Sequence, residues 1–167
     1  MIFKKTLKKE QEMGASISLG CQKLMGRSGF LLSKVAQRIR DNYDESLKDL
    51  GVNARHAGLL TILEEKGSIS QSELGSWAHI DRTTIVALID DLEKAGFVER
   101  KEHPTDRRSH AIYLTAKGKE IMPQIEKIAK ESEQEFLEPL AAQEQKTLLQ
   151  ILRKLVVHHY SMPKETR

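Results

Sequence analysis

From Phe30 onward the apolar positions of the chain recur at steps of three and four. Leu32, Val35, Ile39, Tyr43, Leu47 and Leu50 form one stripe, which predicts a helix of about five turns. Gly51 ends it and Asn53 caps the next helix, where Ala57, Leu60 and Leu63 line one face. A small break follows from Gly67 to Ser70, with β-branched Ile69 at its centre. Ser70-Gln71-Ser72-Glu73 then fits a capping box, the hydroxyl accepting from the third helical amide while the glutamate reaches back. The short helix this begins, Gln71 to Ala78, puts Leu74 and Trp77 three apart and so on one face. His79 and Ile80 make a turn, and Asp81 caps a longer helix from Arg82 to about Ala95. Its stripe is Ile85, Leu88, Ile89 and Leu92, the i, i+3, i+4, i+7 pattern of a half-buried helix, and Gly96 closes it as a left-handed terminator.

Beyond Gly96 the period changes from 3.6 to two. Phe97, Val98 and Glu99 to Lys101 start a first strand; Ala111 and Tyr113 alternate with Ile112 and Leu114 in a second. Between them Pro104, which cannot donate to a ladder, opens a charged tip of Asp106, Arg107 and Arg108. Thr115 then caps a long helix carrying Ile121, Ile125, Ile128 and Phe136. Pro139 interrupts or ends it, and a last helix carries Leu148, Leu149, Leu152, Leu155 and Val156.

Helix, tight turn, second helix and hairpin, in that order, predict a winged helix-turn-helix lobe within a mainly α (α+β) fold. With the Ile85/Leu88/Ile89/Leu92 stripe buried, the free side of the second helix presents Arg82, Thr83, Thr84, Ala87, Asp90, Asp91 and Lys94. Its small, polar first turn suits a major groove, and its free amides suit a phosphate. Two arginines on an exposed tip suit a phosphate backbone or a minor groove. The competing reading is a solvated turn beside an ordinary surface helix. The long first and last helices carry stripes too wide for a core of this size, so they are expected to intertwine with a second copy as a dimerisation domain; a monomeric bundle is the alternative.

Charge sharpens this only slightly. The 167 residues hold 27 Lys and Arg against 24 Asp and Glu, a net of +3, too mild to prove a nucleic-acid partner. Ser70 to Thr115 carries six basic and eight acidic residues, a net of −2, so attraction to DNA must come from placement, with cations at the wing and acids on the sides. Lys4, Lys5, Lys8 and Lys9 crowd a basic N-terminal arm. The expected organisation is arm 1–28, winged-helix domain 29–159 and tail 160–167. Within the domain the helix-turn-helix spans about 70–96, the wing about 97–115, and the dimerisation helices about 29–50 and 116–159. No long apolar run and no secretory signal is present, so no membrane contact and a cytoplasmic location are expected. One cysteine excludes an internal disulfide framework. His158 and His159 are adjacent and point to different sides of a helix. His56, His79, His103 and His110 do not recur at i, i+4, so no metal is expected. Ser72, Ser76 and His79 lack a third orienting group, there is no glycine-rich phosphate loop, and an enzyme and a cofactor are not expected.

Five collinear runs carry a resemblance. They are Ser70-Gln71-Ser72-Glu73-Leu74-Gly75, Ile80-Asp81-Arg82-Thr83-Thr84, Leu92 to Arg100, Pro104-Thr105-Asp106-Arg107-Arg108 and Leu114-Thr115-Ala116-Lys117-Gly118. Over about Gly29 to His159 the chain resembles the MarR family of bacterial transcriptional regulators. That resemblance implies a homodimer on a pseudo-palindromic double-stranded DNA operator, more often a repressor than an activator, and often released by a small molecule. By position Arg108 would enter the minor groove, Asp106 would hold it by a salt bridge, and Arg107 would reach a phosphate or the groove floor. Arg82, Thr83 and Thr84 would lie in the major groove, and Ser70, Gln71 and Lys101 complete the expected DNA-contacting set. A ligand would lie in the crevice between the dimer helices and the DNA lobe, bordered by Tyr43, His56 and Trp77, though core packing explains each of these as well. Many relatives carry basic residues at the places of Ala87 and Asp91, which this chain lacks. Some relatives sense peroxide through a cysteine at the start of the first long helix; Gly29 stands at that place. A redox role through Cys21 is thus one alternative, and a winged-helix adaptor that binds protein and never DNA, favoured by the acidic central segment, is another.

Overall fold

Local signals set most of the element boundaries in the computed structural model, which describes residues 22–102 and 110–161. A short α1 (Gln22–Met25) precedes α2 (Ser28–Leu47), whose last residues tighten into a 3-10 turn, Lys48–Leu50. Next come α3 (Ala54–Lys66), β1 (Ile69–Ser70), α4 (Gln71–Ala78) and α5 (Arg82–Lys94). The strands β2 (Val98–Glu102) and β3 (His110–Leu114) follow, then α6 (Ala116–Leu137) and α7 (Ala142–Ser161). Four of the helices start on a capping side chain. Asn53 accepts from the His56 amide, Ser70 and Glu73 close the full capping box, Asp81 accepts from the Thr83 and Thr84 amides, and Thr115 accepts from that of Gly118. Each removes an otherwise orphaned donor at a helix start.

The predicted stripes meet in one core. Leu47, Ala57, Leu60, Leu63, Leu74, Ile85, Leu88, Ile89 and Leu92 are buried there, joined by Phe97, Val98, Ile112, Met122 and Ile125. Leu92 and Phe97 bracket the left-handed Gly96, and the Phe97 amide donates to the Leu92 carbonyl at 2.9 Å. That return is the hydrogen bond that turns a helix end into a strand.

The sheet has three antiparallel strands in the order β1-β3-β2. The break expected from Gly67 to Ser70 contains β1, an edge strand pairing Ile69 with Ile112 and Ser70 with Ala111. Two residues are too short to show a period, so only the long-range partner reveals them. This strand fastens the start of α4 to the wing stem. The hairpin tip, with Pro104, Asp106, Arg107 and Arg108, lies outside the described residues, as do the N-terminal lysines, Cys21 and the last residues of the tail.

Leu74 is fully buried, but Trp77 is 58% exposed, its ring face covered by the Lys66 ammonium 4.6 Å from the centroid. Three residues along a helix turn the side chain some 60° away, enough in a helix of eight residues to carry Trp77 off the buried strip. Outside the core, α2 and α7 show solvent a series of large apolar residues, among them Leu32, Val35, Ile39, Leu149, Leu155 and Val156. Among the residues of α7 up to Tyr160, only Gln145, Leu148 and Leu152 are even half-buried, while its last turn stacks Tyr160 on His79 with ring centroids 4.0 Å apart. Among the described residues no helix is long and apolar enough to cross a membrane.

Candidate nucleic-acid interface

The turn between α4 and α5 sets how the second helix stands out from the lobe. His79 takes the left-handed conformation with φ 52°, and its amide donates to the Gly75 and Ser76 carbonyls. Ile80 then donates to Gly75 at 2.9 Å. With the chain reversed in so few residues, Asp81 begins α5 at once, and the Ile85/Leu88/Ile89/Leu92 stripe anchors that helix in the core.

The first turn of α5 is left in solvent. Arg82 and Thr83 are exposed and Thr84 is half-buried. Asp81 Oδ1 accepts from the Thr83 and Thr84 amides, both at 3.0 Å. Hydrogen bonds from the Thr84 side chain, then from the Thr84 and Thr83 amides, hold the Asp81 carboxyl below the usual carboxylate range. A group whose folded pKa is depressed stabilises above its unfolded value, and that contribution is lost as pH falls through the folded value. Asp81→Ala is therefore expected to lower the melting temperature at neutral pH, with the gap to the native chain closing below about pH 4; thermal scans of both proteins from pH 7 to pH 3 measure it. A gap independent of pH would mean that the carboxylate charge plays no part in the cap.

The other expected contacts lie at the start of α4 and on the wing stem. Ser70 is tied into the capping box, its hydroxyl donating to Glu73 Oε2 at 2.7 Å. Gln71 lies half-buried at the start of α4, and its Oε1 accepts from the Arg100 guanidinium at 3.4 Å. Lys101 is on the wing stem, exposed, 2.6 Å from Glu99 Oε1 and 5.4 Å from the Tyr113 ring centroid. The Gln71–Arg100 contact thus joins the start of α4 to the stem of the wing, and the first turn of α5 follows α4 directly through the His79–Ile80 turn. Asp106, Arg107 and Arg108 lie outside the described residues.

Pattern reading missed Arg100. Its guanidinium joins Asp90 and Glu93 of α5, and its amide donates to Glu93 Oε1 at 3.0 Å. Burial works against its charge, yet the hydrogen bonds and charges of Asp90 and Glu93 prevail and raise its pKa above the ordinary arginine value. The available signal was the three-residue spacing of the two acids on one helix face.

The crevice residues are less united. Tyr43 on α2 and His56 on α3 are both half-buried. Burial raises the Tyr43 pKa, and the Glu126 charge adds to the shift. Both His56 ring nitrogens are buried without a hydrogen-bond partner. Burial lowers its pKa, against the pull of the Asp91 and Asp44 carboxylates. Trp77 lies exposed on α4 beneath the Lys66 ammonium. Among the described residues no cluster of three or more His, Cys, Asp or Glu side chains is arranged to hold a metal.

Known proteins with this arrangement are transcriptional regulators. The MarR family model matches residues 52–110, from two residues before α3 to the first residue of β3. The transcriptional repressor MprA of Escherichia coli (strain K12) is 32% identical over 128 residues, 75% of this chain and 73% of that protein. Among solved structures, the transcriptional repressor CouR bound to a 23-mer DNA duplex aligns with a TM-score of 0.77 and 26% identity, over 83% of this chain and 98% of that one. A mutant MarR from E. coli complexed with operator DNA aligns with a TM-score of 0.72 and 28% identity, over 77% and 92% of the two chains. These relatives are regulators and not enzymes, and the two solved structures share this chain's fold over 83% and 77% of its length. The chain belongs to the MarR family of transcriptional regulators.

Proposed function

We propose that the chain is a homodimeric repressor acting in the cytoplasm on a pseudo-palindromic duplex site, and that a small molecule releases it. The observation that carries the DNA-binding part is the solvated, polar first turn of α5, with Arg82 and Thr83 exposed and the helix anchored behind them in the core. Arg82, Thr83 and Thr84 read the major groove. Ser70, Gln71 and Lys101 approach the backbone from the flanking elements, and Arg107 and Arg108 work from the wing tip with Asp106 beside them. The DNA-bound relatives support this reading, and the name of MprA supports repression.

Dimerisation is supported by the uncovered apolar residues of α2 and α7. Leu140, Leu148 and Ile151 also line an open groove of about 340 Å3 at the α6–α7 corner. Two recognition helices one DNA turn apart, about 34 Å, then meet a two-fold site. A ligand near Tyr43 and His56, where α2, α3 and α5 converge, would shift the spacing of those helices only as far as it binds the two spacings unequally. The unpartnered nitrogens of His56 give such a ligand a polar group to satisfy.

Selection from a pool of random duplexes tests the reading. A two-fold motif recovered with a steep salt dependence is expected. Recovery of no motif would favour the protein-binding adaptor. On the selected site, Arg108→Ala is expected to cost about 1–3 kcal/mol of binding, roughly tenfold to a hundredfold, without changing the mass of the complex. Unchanged affinity in a titration at fixed salt would remove the wing from the mechanism.

A further inference from the structure

Among the described residues, Arg100 ties the stem of the wing to two acids of the recognition helix. In the sheet β2 is an edge strand, so half of its backbone donors have no strand partner. One of these, the Arg100 amide, is taken by Glu93 Oε1 at 3.0 Å. The guanidinium of the same residue meets the other oxygen of Glu93, and its Nη2 lies 2.5 Å from Asp90 Oδ1 and 3.4 Å from Gln71 Oε1. Asp90 and Glu93 stand three apart on α5 and therefore share a face. Gln71 opens α4 and Arg100 sits mid-strand in β2. The three elements carrying the expected DNA contacts thus converge on one side chain, 21% exposed against 43% and 39% for its acidic partners.

We propose that Arg100 is a positioning residue for DNA recognition, fixing the angle between the wing, the recognition helix and the start of α4 without itself touching DNA. The inference rests on the DNA-binding reading above. Two carboxylates around one guanidinium leave the cluster anionic, so this arginine is not free to neutralise a phosphate. A planar fork can serve both acids at once, whereas an ammonium is a point charge that favours one. Past Ala111, where the pairing with β1 ends, β3 pairs with β2 alone, Glu102 against His110, and a two-stranded ribbon is marginally stable by itself. The cluster holds its base before DNA arrives, so the complex does not have to supply the ordering.

A sign separates this role from simple electrostatics. If Asp90 and Glu93 merely repelled DNA, neutralising either would tighten binding. The positioning role predicts the opposite. With the full chain and a selected operator, Asp90→Asn, Glu93→Gln and Arg100→Lys are each expected to weaken binding about tenfold, the scale of a lost preorganising contact. Base preference and the slope of affinity against salt stay as in the native chain, because the final contacts are the same. Arg100→Lys keeps the charge and aliphatic stem, and the two acid variants are near-isosteric, so circular dichroism should confirm folded protein in all three. Amide exchange without DNA should show faster exchange across Val98–Glu102 in each variant. Tighter binding by the acid variants, or native affinity in Arg100→Lys, would overturn the proposal. Unchanged exchange protection would overturn the fastening whatever DNA does, whereas a native chain that selects no duplex would overturn the DNA-binding reading alone.

Discussion

Gly118→Ala is expected to destabilise the fold by roughly 3 kcal/mol or more, the upper range for forcing atoms into a filled site. A Cβ built at this position falls 2.1 Å from the Phe97 carbonyl oxygen, 3.1 Å from its carbon and 3.4 Å from Leu114 Cδ2. The obstacle is backbone and has little room to retreat. The Phe97 carbonyl accepts from the Thr115 amide at 3.1 Å, the Phe97 amide donates to Leu92 at 2.9 Å, and the Phe97 ring is buried under the Lys117 ammonium. Thr115 ties the same corner together, its hydroxyl donating to the Gly96 carbonyl at 2.7 Å and accepting from the Gly118 amide at 3.0 Å. Relief would come from sliding α6 away from the end of α5, which would unseat Met122 and Ile125 from the core. Urea unfolding should show a markedly lower midpoint. Gly58→Ala is the control. It lies in α3 with open space around its Cβ position, and there the added helix propensity should stabilise by about 0.5–1 kcal/mol. Equal midpoints for the two variants would mean that the close approach at Gly118 does not constrain the fold.

That corner marks the limit of pattern reading. The chain from Ser70 to Gly96 was legible because its signals are local: a capping box, a capping aspartate, a four-residue apolar stripe and a left-handed glycine each act within a turn or so of themselves. The run Leu114 to Gly118 was recognisable as a family feature, but not the reason for its glycine, since Phe97 approaches from 21 positions away. β1 was missed on the same ground, as its partner lies some forty residues on in β3. Arg100 was invisible as a junction because its contacts reach back 7, 10 and 29 positions. Trp77 erred in the other direction: spacing assigned it a shared face with Leu74, while the width of the buried strip, a tertiary quantity, left it out. Local hydrogen-bond chemistry thus located the expected DNA-reading turn, and long-range packing decided what braces it.

Val35→Glu combined with Leu155→Glu is expected to yield a folded monomer with operator affinity lowered about 10²–10⁴-fold, the avidity lost when two linked half-site contacts become one. Val35 and Leu155 are 43% and 42% exposed in the single chain and belong to no part of its core, so carboxylates there cost the protomer little. Against a second copy the same positions would be dehydrated, and an unpaired carboxylate in such a place is strongly disfavoured. The internal-bundle alternative makes the opposite prediction, because it needs the stripes of α2 and α7 to pack within one chain. Yet Leu32, Ile39, Leu149 and Val156 are all more than 40% exposed along those two helices. Sedimentation at micromolar concentration should give twice the chain mass for the native protein and the chain mass for the variant, with equal far-ultraviolet dichroism. Duplexes carrying one half-site should then bind the two proteins with similar strength, since the reading lobe is untouched, and only the two-fold site should separate them. A native chain that sediments as a monomer, or a monomeric variant that keeps full affinity for the two-fold site, would detach operator reading from dimerisation.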